Sequence, residues 1–495
     1  MLRSPFLVSG LLLALLAALP TTANSSEAII FQSAAARHGL ARPWIAQLQV
    51  DRTRARLRYL LLYEGVLYAQ SDRAMVHAID AETGATLWAR QIGRPNHPSL
   101  EPGASGDLLA VVNGSRLYVV NRYNGDLLLE RELIGAPGAG PALSPRRAYV
   151  PMLQGLLVAY GVEPLTDPMR ELGRVPETLT DEDRERLEAE RRRDIRINQE
   201  FIRPLAVQSY GRTTIQPLVT TQTDHEEYIT WPTERGYLYT GSLDPRNPEN
   251  INLHYRLPTE GPIVSQATYL PPDPRITGAL GTIFTASRDG FVYAVAEKTG
   301  DMLWRYSCGE AIVERPALVF PRLFVTTQLG GMFSLDATTG RQQWWAPNVR
   351  QFVAASETRV YAFDMTDQLL VLDIESGARL DSIFTGPLPI RLCNDQNDRI
   401  YLASKTGLLQ CLHELEQTEP LRHNVRAPAR REVQQEPVAE ERPARPDAQD
   451  APDDDPFGGA GADPFGAPQP PADEDAPDDD PFGGDPFGGD PFGGN

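Results

Sequence analysis

Apolar residues in this chain come in short runs that recur in pairs around a polar turn. The first pair reads VHAIDAETGATLW over residues 76–88, and it returns as VYAVAEKTGDMLW over 292–304 and MFSLDATTGRQQW over 332–344. Weaker copies are LYVVNRYNGDLLL over 117–129 and LLVLDIESGARL over 369–380. Each run is rich in β-branched and aromatic residues, and the polar segment closes on glycine, so each copy predicts a β-hairpin. Asp80, Asp336 and Asp373, with Asn121 in a fourth copy, stand where a side-chain oxygen can accept backbone N–H groups across the turn. Gly84, Gly125, Gly300, Gly340 and Gly377 close the turns, where a positive φ is expected. Runs such as Leu369 to Leu372 are apolar at successive positions, so both faces of the sheet need cover. Blades stacked around an axis meet that requirement.

The spacing sets the size of the ring. Gly84 and Gly125 are 41 residues apart, Gly300 and Gly340 are 40 apart, and Gly340 and Gly377 are 37 apart. The 175 residues between Gly125 and Gly300 hold three such steps and roughly 55 inserted residues. The insertions are Glu163 to Arg203, Pro245 to Asn250 and Pro271 to Gly278. The pattern predicts an all-β, eight-bladed β-propeller over residues 44–415, with seven blades as the alternative. A last partial blade has Ile400 to Ala403 and Leu408 to Leu412 but no outer strand, and Trp44 to Val50 can supply it, closing the ring. Within the insertion at 163–203, Thr180 to Asp183 resembles a capping box and Arg191 to Arg193 follows later, which predicts a charged helix outside the ring.

The pattern Ala-x-Asp-x-x-Thr-Gly-x-x-Leu-Trp is complete from Ala78 to Trp88 and resembles the propeller repeat of the pyrroloquinoline-quinone (PQQ) type. From Ala294 to Trp304 only the acidic position departs, as Ala296; from Ser334 to Trp344 the first Ala is Ser334 and the Leu is Gln343. The resemblance spans about Trp44 to Leu415. It implies that Trp88, Trp304 and Trp344 are docking rings packed between neighbouring blades, a role in doubt where Leu129 and Asp381 replace them. That family has two branches. One holds quinoprotein dehydrogenases, which bind PQQ and Ca²⁺ over the ring centre. The other holds non-enzymatic scaffolds, such as the propeller lipoprotein of the outer-membrane β-barrel assembly machinery, although no cysteine stands here for a lipid anchor.

The ends of the chain change the picture. Residues 1–23 carry one Arg, an apolar run from Phe6 to Leu19 and small residues up to Ala23, the parts of a secretory signal peptide; an uncleaved anchor is the alternative. Residues 24–43 form a lead-in. The formal net charge is -19, and from Val425 onward five Arg face eighteen Asp or Glu. Residues 416–495 are therefore expected to be a disordered acidic tail, too poor in apolar residues to offset chain entropy. Asp-Pro-Phe-Gly recurs there five times, placing Phe457, Phe465, Phe482, Phe487 and Phe492 as anchors for a multivalent partner, or as low-complexity sequence that keeps the protein soluble. Cys308, Cys393 and Cys411 read as small buried apolar residues.

The candidate chemistry is sparse. The chain has no adjacent cysteines, no haem-attachment motif and no paired metal-ligand motif among its seven His. No catalytic, cofactor or metal residue is assigned, and the aspartates repeated at one turn position read as structural caps. Acidic charge argues against nucleic acid and anionic membrane as partners. The expectation is an extracytoplasmic, monomeric, non-enzymatic scaffold, with no membrane span after signal cleavage, that binds a protein or cell-envelope partner without cofactor. A PQQ- and calcium-dependent oxidoreductase is the first alternative. A glycan-binding module using Trp231 and Trp345 is the second.

Overall fold

A computed structural model describes residues 29–162, 203–222, 226–244, 250–273, 281–385 and 388–423. The signal peptide, nearly all of the 163–203 insertion and the five Asp-Pro-Phe-Gly copies lie outside the described residues.

Eight antiparallel sheets follow one another along the chain, seven of them with four strands in sequence order. Blade 1 is typical, with Leu57–Tyr63, Val66–Ser71, Met75–Asp80 and Thr86–Gln91 running from the axis to the rim. Its central strands show four or more consecutive buried residues, because both faces of each sheet are covered. The cover comes from the next blade. Tyr68, Val76 and Trp88 of blade 1 pack with Leu109, Val111 and Val120 of blade 2, and seven more apolar clusters continue this around the ring. The cluster of Leu57, Leu67 and Ile79 with Tyr401, Leu409 and Cys411 joins blade 8 back to blade 1, so the count is eight and not seven.

The eroded repeats form full blades. Ala142–Leu143, Arg147–Pro151, Leu156–Gly161 and Leu205–Gln208 build the third, and Leu218–Gln222, Glu227–Thr233, Tyr237–Leu243 and Asn252–Pro258 the fourth. Closure uses the start of the chain. Ile45–Gln47 pairs antiparallel with Leu408–Glu414, in the register Ile45 to Gln410, and Leu40–Ala41 pairs further along the same strand. The short helix Gln32–Arg37 sits just before this seam.

The described chain runs past the expected start of the tail at 416. Arg399, 1% exposed, donates to the Gln417 and Thr418 carbonyls at 3.0 and 2.8 Å, and His423 N–H donates to Gln396 O at 2.7 Å. A buried guanidinium needs acceptors, and this segment provides them. No helix among the described residues is long and apolar enough to cross a membrane.

Candidate functional site

The repeated residues meet at the seams between blades. Asp80 Oδ1 accepts the Glu82 and Thr83 N–H groups at 3.2 and 2.7 Å and the Thr83 hydroxyl at 2.7 Å. Asp336 repeats this with Thr338 and Thr339, and Asp373 with the N–H and hydroxyl of Ser376, whose hydrogen bonds hold the Asp373 carboxyl below its ordinary range. Gly84, Gly125, Gly300, Gly340 and Gly377 have φ of 72, 73, 75, 70 and 70°. Each also lies under a ring from the preceding blade. A Cβ on Gly125 would sit 2.7 Å from Trp88, one on Gly340 2.6 Å from Trp304, and one on Gly377 2.5 Å from Trp344. The indole N–H groups donate to Arg122 O, Ala337 O and Ile374 O at 2.8, 3.1 and 2.8 Å.

Two further rings belong to this set, and the repeat pattern did not show them. Tyr255 covers Gly300, and Trp44, read from sequence only as part of the closing strand, covers Gly84 and donates to Ala81 O at 3.0 Å. Their signal was geometric: a glycine at a docking turn requires a ring from the blade before it. Where Asp381 replaces the Trp, its carboxylate pairs with His38 Nδ1 at 2.5 Å, so a polar contact ties blade 7 to the lead-in. Trp231 is fully buried and stacked on Tyr239 with centroids 5.6 Å apart, which removes it as a surface platform for glycans; of that pair only Trp345 is exposed.

The innermost strands converge on an axial cavity of about 480 Å³. Seven blades contribute to its wall. Glu101 of blade 2 and Glu314 of blade 6 stand on opposite sides of an eight-fold ring, open to the channel yet walled in by protein. Enclosure raises the pKa of both carboxyls, with Arg315 opposing it at Glu101 and Arg350 opposing it at Glu314. Arg315 pairs with Asp395 at 2.9 Å, and Arg391 pairs with Asp367 at 2.7 Å. Cys393 is half-buried in this wall and packs against the apolar cluster between blades 6 and 7; its carbonyl and Sγ face Arg315, and burial pushes the thiol up to about 11. The other two cysteines are buried, and all three are free thiols.

The side-chain amides of the hub are committed in one direction. Gln216 Nε2 donates to Pro141 O at 2.7 Å and Pro102 O at 3.3 Å, Gln266 Nε2 to Pro217 O at 3.1 Å, and Gln396 Nε2 to Leu62 O at 2.8 Å. These bonds stitch neighbouring inner strands together.

This wall does not fit PQQ and calcium. PQQ is a tricarboxylate, and here it would face two carboxylates with both nearby guanidiniums already paired. Calcium needs several converging oxygens, and among the described residues no group of three or more His, Cys, Asp or Glu is placed to hold a metal ion. No step through either group is derived.

Fold and seams together define a PQQ-repeat β-propeller whose signature residues join its blades. The family model described as "Outer membrane protein assembly factor BamB" matches residues 44–160 and 258–389, half of the chain, and the chain belongs to that family. No protein of curated function matches it by sequence. Among solved structures it is similar to BamB from Moraxella catarrhalis, with a TM-score of 0.52 and 12% identity over 76% of this chain and 97% of that one. It is comparably similar to the computationally designed Ika8 protein, with a TM-score of 0.51 and 11% identity over 74% and 98% of the two chains. Saccharomyces cerevisiae Sqt1 gives a TM-score of 0.52 and 9% identity over 73% and 96%. At such identities these neighbours establish the fold alone.

Proposed function

We propose that this protein is an extracytoplasmic, monomeric, non-enzymatic scaffold that binds a protein of the cell envelope. One observation carries the reading. The aspartates, glycines and tryptophans of the repeat are consumed in turns and blade docking, which leaves the hub without a set of groups suited to a quinone cofactor. The family description, an outer membrane protein assembly factor, supports an envelope partner.

An exposed apolar patch on blades 6 and 7 supports protein contact. Leu329 is 75% exposed and lies in the turn before Gly330, whose Cβ position is 3.1 Å from Met365 Cγ; Met365 is half exposed. Trp345, also half exposed, lies over the adjacent Gly331. Contiguous exposed apolar surface on a monomer marks an interaction site.

Photo-crosslinking residues placed at 329 and 365 in living cells test the reading, with position 83 on the opposite face as control. Discrete adducts with one envelope protein at 329 and 365, absent at 83, are expected. Dye-linked alcohol or sugar oxidation by purified protein given PQQ and Ca²⁺ would overturn it.

A further inference from the structure

The hub cavity has no part in the scaffold reading, and its chemistry is one-sided. Its carboxylates without an ion pair among the described residues are those of Glu101 and Glu314, on opposite walls, while Arg315 is held by Asp395. The side-chain amides of Gln216, Gln266 and Gln396 each donate to a backbone carbonyl, and their Oε1 atoms have no partner among the described residues. Ser265 lines the same cavity at 6% exposure, and its buried Oγ has no hydrogen-bond partner among the described residues. Between the polar groups the wall is apolar, from Leu61, Leu100 and Val313 among others.

An acceptor-rich wall around a low-polarity strip suits a ligand with donors at its ends and methylenes between them. The cavity, at about 480 Å³, lies within the range of small-molecule sites. From this geometry we infer that the hub binds an aliphatic diamine, one ammonium held by Glu101 and the other by Glu314, with the alkyl chain against the leucine and valine side chains. A quinone tricarboxylate and an aliphatic dication are opposite in charge, so one wall cannot serve both.

The site also dictates a pH response. Enclosure raises both carboxyl pKa values in the free protein, and a bound dication, which favours the ionised forms, opposes that rise. Affinity is full above the raised values and is lost as pH falls through them.

Isothermal titration of the full chain with 1,5-diaminopentane tests the inference. Saturable one-to-one binding is expected at pH 7.5, with pentylamine weaker by about tenfold or more because it satisfies one carboxylate only. Glu101→Gln and Glu314→Gln should each weaken the diamine about tenfold while leaving the thermal melt unchanged. The rim substitution Glu130→Gln should leave binding alone. No saturable binding by the wild type, or equal binding by wild type and both hub variants, overturns the proposal.

Discussion

The indole of Trp44 lies against Gly84, so close that a Cβ there would stand 2.5 Å from the ring. The relationship joins the segment that closes the ring to the first turn of the first blade. The docking arrangement of Trp88, Trp304 and Trp344 is thus repeated at the one seam that the chain order does not make for itself. Ring closure therefore depends on a contact between distant elements, and its loss acts on the cooperativity of the whole fold.

Trp44→Ala should cost about 3–5 kcal/mol of stability, the usual loss for removing a buried large aromatic. Gly84→Ala should cost several kcal/mol as well, since it meets both a positive φ and the ring. Denaturant unfolding followed by tryptophan fluorescence measures both, and a loss under about 0.5 kcal/mol for either would contradict the seam assignment.

Adjacent tryptophans separate packing from exposure. Trp344 is 6% exposed and bonded to Ile374 O, whereas its neighbour Trp345 is half exposed. Trp344→Ala should destabilise by about 3–5 kcal/mol and Trp345→Ala by less than about 1 kcal/mol. Equal melting points for the two variants would argue against the alternation.

Acid should destabilise the fold. His77 and His423 have pKa values lowered from 6.5, by burial first of all, so the folded state keeps both rings neutral. Their contribution is present above pH 6.5 and is lost as pH falls from there toward the lower folded values, because the unfolded chain takes up protons that the folded one refuses. His77 Nε2 is buried without a partner among the described residues, while the ring bonds the Gln49 backbone, so His77→Gln, which keeps a donor and does not titrate, should flatten the acid slope. Melting curves between pH 5 and pH 8 decide it; an unchanged slope would refute the role of His77.

Arg399 anchors the end of the described chain. It pairs with Asp398 and Glu82, both at 3.2 Å, as well as with the Gln417 and Thr418 carbonyls. Arg399→Met leaves Asp398, itself 1% exposed, without its buried cation, and should cost about 3–5 kcal/mol. Trypsin should then cleave after Arg422 faster than in the wild type. Unaltered cleavage would show that 416–423 is held by other contacts.

Repetition made the propeller legible in the sequence. A hairpin recurring every forty residues, with glycine and an acceptor at fixed places, carries its local geometry in its own residues, and consecutive apolar positions announce that both faces are covered. Even the eroded third and fourth blades were implied by the spacing, as steps within the 175 residues between Gly125 and Gly300. The exposure of Trp231 was not legible, because a lone aromatic in a strand reads the same whether its neighbour is solvent or Tyr239. Cys393 packs against an apolar cluster as expected but is only half-buried, because it stands just beyond the short inner strand Ile390–Arg391, where the chain lines the hub.

By itself the sequence determined the elements and their period, since turn chemistry and spacing are local properties that survive without coordinates, while the closing cluster decided eight blades over seven. Only the tertiary structure decided which residues face one another across the axis. Glu101 and Glu314 are more than two hundred residues apart and share no motif, yet four blades of rotation set them on opposite walls of one cavity. A charge alone in its own segment acquires its meaning from what the fold places opposite it, because electrostatic energy depends on separation in space and not along the chain.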